Sequence, residues 1–182
     1  MRRACVAAAA AMLLGGCFGA LPAMHQHTLQ PPDGAPAAGA APRVAVDVVS
    51  VPPAVDRRQL VLAPAPGETL IDDANGWATP LRQEIARALA ARWAPGGTTP
   101  DYRISVAITR FDSMPRQGVR LAAEWTLRGS DGTLLRQGNS SHRAPAATTD
   151  LPAGEAAALV AAHRTALAAL ADELALALGG AR

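Results

Sequence analysis

The chain has 182 residues, with 17 basic side chains, all of them arginine, against 15 acidic ones, and only two cysteines, Cys5 and Cys17. Arg2 and Arg3 lie in a segment that we expect to be removed, so the remaining chain carries 15 arginines and 15 carboxylates and is close to neutral. This balance excludes the simplest electrostatic basis for nucleic-acid binding, which requires a surplus of basic groups. The remaining chain also has no cysteine pair for a disulfide and no thiolate cluster for a metal.

The N-terminus has the pattern of a lipoprotein signal peptide. Met1-Arg2-Arg3 is basic, and the uncharged run from Ala4 to Leu14 is shorter than the roughly 20 residues that a membrane-spanning helix needs. Leu14-Gly15-Gly16-Cys17 resembles the lipobox of bacterial lipoproteins. The pattern predicts a signal peptide over residues 1–16, cleavage between Gly16 and Cys17, and a lipid on Cys17. The alternative is an ordinary signal peptide that is cut elsewhere.

Residues 17–42, which begin at the predicted lipid site, are interpreted as a tether. The stretch is rich in proline, alanine and glycine and has neither helical nor strand periodicity, which is typical of a flexible connection. His25 and His27 are a weak match to a metal site, because zinc needs three or four protein ligands and no other histidine or cysteine is near them. We therefore place both histidines in the tether and predict no metal site.

A folded domain is predicted over residues 43–182, and its first half contains short strands and a helix. The strands are expected at Arg43–Val51, Gln59–Ala63 and Thr69–Ile71. Asp72 to Gly76 is predicted to be a loop whose aspartates cap the next helix. Trp77 to Trp93 is predicted to be that helix, because Leu81, Ile85, Leu89 and Trp93 recur every four residues.

The second half has the clearest strand signals. Apolar and polar residues alternate over Tyr102–Asp112 and over Gly118–Arg128, and Asp131-Gly132 predicts a tight turn into a third strand near Leu134–His142. After a loop, an apolar stripe from about Ala153 to Leu178 predicts a long helix. The expected fold class is α+β: a mixed, mostly antiparallel sheet with two amphipathic helices on one face.

The sequence shows no arrangement of residues that would support catalysis. Ser141 and His142 are adjacent on a strand and therefore point to opposite faces. His163 falls on the apolar stripe of the last helix and is interpreted as a packed histidine. No nucleophile, base and orienting group come together, and no nucleotide-binding glycine motif is present. We expect no enzyme activity and no cofactor.

Several short segments, each weakly specific, occur in a specific order. After the lipobox these are Val48–Pro52, Asp56–Val61, Trp77–Leu81, Arg110–Asp112, Leu121–Trp125 and Leu167–Ala171. In this order they resemble the ABC-type transport auxiliary lipoprotein family, the PqiC-like lipoproteins, over nearly the whole chain after the signal peptide. One departure is His25–Leu29, where family members often have a Tyr-Tyr-x-Leu-like strand, and this leaves open whether residues 24–30 form a strand.

The resemblance implies a periplasmic, non-enzymatic lipoprotein of the outer membrane with an α/β domain. It implies a partner, an MCE-domain protein of an inner-membrane complex thought to carry lipids across the envelope, and self-association into a ring. Because Phe18 and not aspartate follows Cys17, the usual sorting pattern favours the outer membrane, where acyl chains such as palmitate hold the protein. Arg57, Arg58 and Gln59 are candidates for a contact with a partner or a phospholipid, and the alternative is the ordinary start of a strand.

Two other classes of function remain open from the sequence. One is an envelope-assembly lipoprotein that helps to insert lipopolysaccharide or outer-membrane proteins, because such proteins share the layout of lipid, tether and small domain. The other is a lipid-anchored hydrolase. Neighbouring genes for an MCE protein, a permease and an ATPase would favour the transport auxiliary lipoprotein.

Overall fold

The computed structural model describes residues 24–30, 42–95, 99–148 and 152–180. The predicted signal peptide and the predicted lipid site at Cys17 lie outside the described residues. Within these residues, eight strands form one open sheet, and two helices pack against it. The strands are β1 (His25–His27), β2 (Arg43–Ser50), β3 (Gln59–Leu62), β4 (Leu70–Trp77), β5 (Ala94–Pro95), β6 (Tyr102–Met114), β7 (Gly118–Gly129) and β8 (Leu134–Ala144). The helices are α1 (Leu81–Ala90) and α2 (Pro152–Gly179).

The antiparallel meander β6–β7–β8 forms one side of the sheet, with β8 at its edge. Alternating apolar residues define its register, in which Val106 lies opposite Trp125 and Trp125 opposite Gly138. A Cβ atom at position 138 would lie 2.6 Å from the Trp125 ring, so only glycine fits beneath that side chain. The predicted turn at Asp131-Gly132 is confirmed, with Gly132 at a φ of 85°.

The rest of the sheet is attached to the other side of β6. Strand β2 runs parallel to the first half of β6, and β3 pairs with its far end, where Leu62 lies opposite Ser113. The hairpin of β3 and β4 then continues the sheet outwards, and β1 runs parallel to β4 at the edge. The sheet is therefore mixed, while its longest ladders are antiparallel.

The hydrophobic core lies between one face of the sheet and the helices. The largest fully buried side chains are Leu29, Leu60, Leu81, Ile85, Leu89, Ile104, Leu121, Leu127, Leu159, Leu167, Leu170 and Leu174. Leucine and isoleucine side chains of the two helices supply seven of these twelve, because both apolar stripes face the sheet. The predicted α+β class, with a mostly antiparallel sheet and two helices, is confirmed.

The predictions for the segment before α1 need correction. Residues predicted as a short strand and an Asp72–Gly76 loop form one strand, β4, and Asp72 bonds within its own strand rather than to a helix, accepting from Ala74 N at 3.0 Å and from Asn75 Nδ2 at 2.9 Å. Glycine at position 76 permits this extension, because a Cβ there would lie 2.6 Å from the Arg58 carbonyl oxygen. Pairing with β1 and β3 on both sides then keeps the segment extended.

The predicted helix over residues 77–93 is shorter at both ends. Trp77 ends β4, and α1 begins only at Leu81, because Pro80 has an extended ψ of 132°. The helix ends at Ala90, although Trp93 remains buried in the core. The prediction followed the apolar repeat, which continues past the last helical residue.

The interpretation of residues 17–42 as a tether is wrong for residues 24–30. His25–His27 form β1, and Leu29 is 1% exposed. Strand periodicity could not reveal so short a strand, because its side chains are mostly exposed and its partner, β4, is far away in the sequence. The question left open by the His25–Leu29 departure is thus answered: the strand is present.

Candidate functional site

The described segment nearest to the predicted lipid site, Met24–Gln30, is bound firmly to the domain. Met24 is seven residues after Cys17, which corresponds to a maximum span of about 25 Å for a fully extended chain. A tether over all of residues 17–42 could have reached about 85 Å by the same measure. The distance between lipid and domain is therefore limited by β1.

A polar contact that we call the N-terminal clamp holds this segment, and it consists of Thr28, Leu29, Glu84 and Arg164. Glu84 Oε2 accepts hydrogen bonds from Thr28 Oγ1 at 2.8 Å and from Leu29 N at 2.9 Å. Arg164, on α2, donates from Nε and Nη2 to the Thr28 carbonyl oxygen at 3.1 and 2.7 Å. The clamp joins the N-terminal segment to both helices.

Glu84 keeps its charge although its side chain is buried. The residue is 1% exposed, and burial by itself raises the pKa of its carboxyl. Hydrogen bonds from Thr79, Leu29 N and Thr28, with the nearby charge of Arg87, outweigh that effect, so the pKa of Glu84 lies below its ordinary value. Glu84 is therefore a buried residue of α1, next to the apolar Ile85, and the clamp covers its carboxylate.

Arg57 and Arg58 lie just before β3, at the same end of the sheet as the N-terminal clamp. Both arginine side chains are exposed, while Gln59 begins β3 and is half-buried. The Arg58 backbone is fixed, because its carbonyl oxygen accepts a hydrogen bond from Trp77 N at 2.7 Å. No hydrogen bond or ion pair joins either guanidinium group to another described residue. Both guanidinium groups therefore lie on the surface at this end of the sheet.

Two of the histidines discussed in the sequence analysis, His163 and His27, contact other side chains of the domain. His163 is fully buried, stacks on Phe111 with ring centroids 3.9 Å apart, and lies 2.8 Å from Ser113 Oγ through Nε2. Desolvation lowers the pKa of His163 to about 3, so the imidazole is neutral. His27 Nε2 lies 2.9 Å from Asn75 Oδ1. The interpretation of His163 as a packed histidine is confirmed.

His142 and Ser141 do not form a catalytic pair. His142 Nε2 lies 3.1 Å from Glu173 Oε2 without hydrogen-bond geometry. The other oxygen of Glu173 accepts from Ser140 Oγ at 2.8 Å, and Ser140 in turn accepts from Trp125 Nε1 at 2.9 Å. This chain of contacts connects β7 and β8 to α2, and Trp125 is buried as expected.

Within the described residues, no group of three or more histidine, cysteine, aspartate or glutamate side chains is arranged to hold a metal ion. Neither described helix has the length and apolarity to cross a membrane. The geometry thus defines a small α+β domain whose first strand continues directly from the predicted lipid site.

Comparison with known proteins identifies the family. The sequence model of the ABC-type transport auxiliary lipoprotein component matches residues 27–175, and the chain belongs to this family. It is accordingly a lipoprotein component of ABC-type transport with a membrane-anchored periplasmic location. No curated protein matches the chain.

Two solved structures share the fold. One is a protein from Xanthomonas campestris with a TM-score of 0.58 and 20% sequence identity, over 84% of this chain and 90% of the other. The second is an uncharacterised protein with a TM-score of 0.59 and 19% identity, over 84% of this chain and 99% of the other. At these identities the likeness concerns the fold alone.

Proposed function

We propose that this protein is an auxiliary subunit of an MCE/ABC-type intermembrane lipid transport system. It is attached to the outer membrane through acyl chains on Cys17, faces the periplasm, and acts by protein contacts rather than by catalysis. Its partner is an MCE-domain protein of the inner-membrane complex, and its working form is a homo-oligomeric ring. The observation that carries the proposal is the family match over residues 27–175.

Two features of the described residues support a role without catalysis. The Ser113–His163 pair is sealed in the core against Phe111, out of reach of a substrate. The remaining histidine near a serine, His142, is next to Glu173 in the contact between β8 and α2. Histidines that could act as bases are thereby used in packing.

The short span from Cys17 to Met24 supports a role close to the membrane. A domain held within about 25 Å of its lipid cannot cross the periplasm, so the inner-membrane partner has to approach it. Confinement near the membrane raises the effective concentration of the domain for that partner. Arg57 and Arg58 are candidates for the contact, because arginine is enriched at interfaces and pairs well with carboxylates.

The test begins with the anchor. Mass spectrometry of the wild type should find an acylated Cys17 as the first residue, and Cys17→Ser should leave an unprocessed precursor without acyl groups. Two or more acyl chains make attachment stable at about 0.8 kcal/mol per buried CH₂ group. A mature terminus at any other residue would contradict the proposed anchor.

The test continues with the partner. The wild-type protein should be larger than a monomer in light scattering and should co-purify with the MCE protein encoded nearby. Arg57→Ala/Arg58→Ala should weaken that co-purification, and Arg43→Ala/Arg92→Ala removes the same charge elsewhere on the surface as a control. A monomeric protein that does not bind the MCE protein would contradict this function.

A further inference from the structure

A cluster of charged side chains lies on the outer face of the sheet, opposite to the helices, where β6, β7 and β8 run side by side. We call it the arginine patch, and it consists of Arg110, Arg120 and Arg143 with Asp112. In the strand register, Asp112 lies opposite Arg120, and Arg120 lies opposite Arg143. Arg110 Nε is 3.4 Å from Asp112 Oδ2. Three arginines thus lie close together on this face, and only Arg110 is paired with the carboxylate of Asp112.

Folding alone does not account for this arrangement. Like charges directly opposite each other on neighbouring strands destabilise a sheet. No described carboxylate lies within 4.0 Å of a guanidinium nitrogen of Arg120 or Arg143. Arg120 Nε is buried and has no hydrogen-bond partner among the described residues. A cost to stability with unfulfilled hydrogen bonding is typical of a binding site.

The arginine patch borders a groove that is suited to an extended chain. The groove has a volume of about 460 Å³ and lies between the loop 63–69 and the end of the β6–β7 hairpin. Pro64, Pro66 and Met114 give it apolar walls, and its charged lining consists of Arg110 and Arg120 with Asp112 and Glu68. A second hollow of about 270 Å³ shares Arg110 and Asp112 and continues towards Val55. Together they offer apolar contact beside positive charge.

We propose that the arginine patch and its groove bind an acidic, extended segment of a partner protein. Guanidinium groups bind carboxylates through two parallel hydrogen bonds, and the three arginines, against Asp112 and Glu68, leave one net positive charge for an acidic ligand. The proline-containing loop supplies a surface for the aliphatic parts of the ligand side chains. No part of this site coincides with Arg57 or Arg58.

The position of the arginine patch favours a protein over a lipid headgroup. The patch lies beside Leu62 and Leu70, whereas β1 pairs with β4 at Asn75–Trp77. Three residues of β3 separate the Leu62–Leu70 pair from the Gln59–Gly76 pair, which is about 10 Å. The patch is therefore at the opposite end of the β3–β4 hairpin from the point where the lipid-bearing segment joins the sheet. This choice of ligand class rests on the proposed anchor at Cys17.

Peptide binding by the full-length protein in detergent tests the site. The probe is a fluorescein-labelled peptide of alternating glutamate and alanine, followed by anisotropy at low ionic strength. Arg120→Gln/Arg143→Gln should weaken binding about tenfold or more. Arg103→Gln/Arg128→Gln removes the same charge from an opposed arginine pair on β6 and β7, far from the groove, in which Arg103 is bonded to Asp47, and it should leave binding within about twofold. A melting curve for each variant excludes misfolding, and Arg110→Gln replaces the double variant if that variant does not fold.

The outcomes separate this site from the proposed function. Equal losses in both double variants would overturn the site, because they would show unspecific attraction between charges. Binding to phosphatidylglycerol vesicles that depends on Arg120 and Arg143, without peptide binding, would also overturn it in favour of a lipid headgroup. Absence of wild-type peptide binding overturns it as well. The peptide measurement requires neither acylation of Cys17 nor an MCE protein. A positive peptide result would therefore remain valid even if the proposed anchor or the proposed partner were contradicted.

Discussion

The N-terminal clamp and the arginine patch lie at opposite ends of the β3–β4 hairpin and use charge differently. In the clamp, the carboxylate of Glu84 is 1% exposed and accepts three close hydrogen bonds. In the patch, Arg120 and Arg143 face each other, and Arg120 Nε has no partner among the described residues. The satisfied buried charge of Glu84 contributes to the structure of the protein, whereas the opposed arginines of the patch are those that we propose to bind a ligand.

The clamp and the patch also differ in their position relative to the predicted lipid site. The clamp lies where the chain arrives from the predicted lipid site, and the patch lies about 10 Å further along the hairpin. Substitutions in the clamp should therefore change stability and the reach of the domain. Substitutions in the patch should change binding and leave stability intact.

Acid should produce the largest effect on the free energy of unfolding. The group responsible is His163, which packs between the two ends of the β3–β4 hairpin. Its pKa is about 3 in the folded protein and near 6.5 in the unfolded chain, so only the unfolded chain binds a proton between these values. The free energy of unfolding should fall as the pH drops below about 6.5, by up to about 1.4 kcal/mol per pH unit. Glu84, whose folded pKa is lowered, adds a further loss below its ordinary value of 4.5.

Urea unfolding at a series of pH values measures this loss. His163→Gln keeps a polar partner for Ser113 and removes the titrating group, so its free energy of unfolding should vary less with pH between about 6.5 and 4.5 than that of the wild type. The same pH dependence in the variant would show that other groups are responsible.

Leu29→Ala should produce the next largest effect and is confined to the clamp end. Leu29 is 1% exposed, and truncation of a buried leucine costs about 2–5 kcal/mol. The segment 24–30 should also become accessible to limited proteolysis. Leu176→Ala is the matched control, because Leu176 is 79% exposed and its loss should change stability by less than about 0.5 kcal/mol. Equal melting temperatures for Leu29→Ala and the wild type would show that the N-terminal segment does not contribute to the fold.

Thr28→Val should have a smaller effect at the same end. The substitution keeps the shape of the side chain and removes the hydroxyl that donates to Glu84 at 2.8 Å, which should cost about 1–2 kcal/mol. Thr165→Val removes an exposed hydroxyl that bonds only to its own helix, at Ala161 O, and serves as the control. Chemical denaturation compares the two. A cost that is the same for both threonines would mean that the clamp is not a specific contact.

The sequence predicted those elements whose signal is local. Alternation along β6 and β7 and the apolar stripe of α2 each lie within one segment, and the structure has these elements within two residues of the expected bounds. Strand β4 and strand β1 depend on pairing between distant segments, and both were missed or shortened. The bounds of α1 show the same limit of sequence-based prediction. The apolar repeat extends beyond both ends of this helix, whereas the helix begins only after Pro80.

The candidate site could be predicted only in part. The lipid site at Cys17 and its cleavage position follow from a linear motif, and they stay predictions because they lie outside the described residues. Arg57 and Arg58 were expected at the start of a strand and lie there with exposed side chains. Glu84 and Arg164 of the clamp are in separate helices, and the arginine patch exists only through the register of three strands. Neither cluster has a linear signal.

Arg143→Gln should have the smallest effect on stability and thereby gives the sharpest contrast with the clamp. The substitution removes one of two like charges that lie directly opposite each other, so the free energy of unfolding should stay the same or rise by a few tenths of a kcal/mol. Arg103→Gln on β6 removes an arginine that also lies opposite another, Arg128, but is bonded to Asp47 at 3.0 Å, so it should lower stability slightly, by less than about 1 kcal/mol. Differential scanning calorimetry of both variants measures the difference. Because repulsion between exposed charges is screened by salt, any gain from Arg143→Gln should shrink as ionic strength rises. A clear loss of stability for Arg143→Gln would mean that Arg143 stabilises the sheet and is not held in place for a ligand.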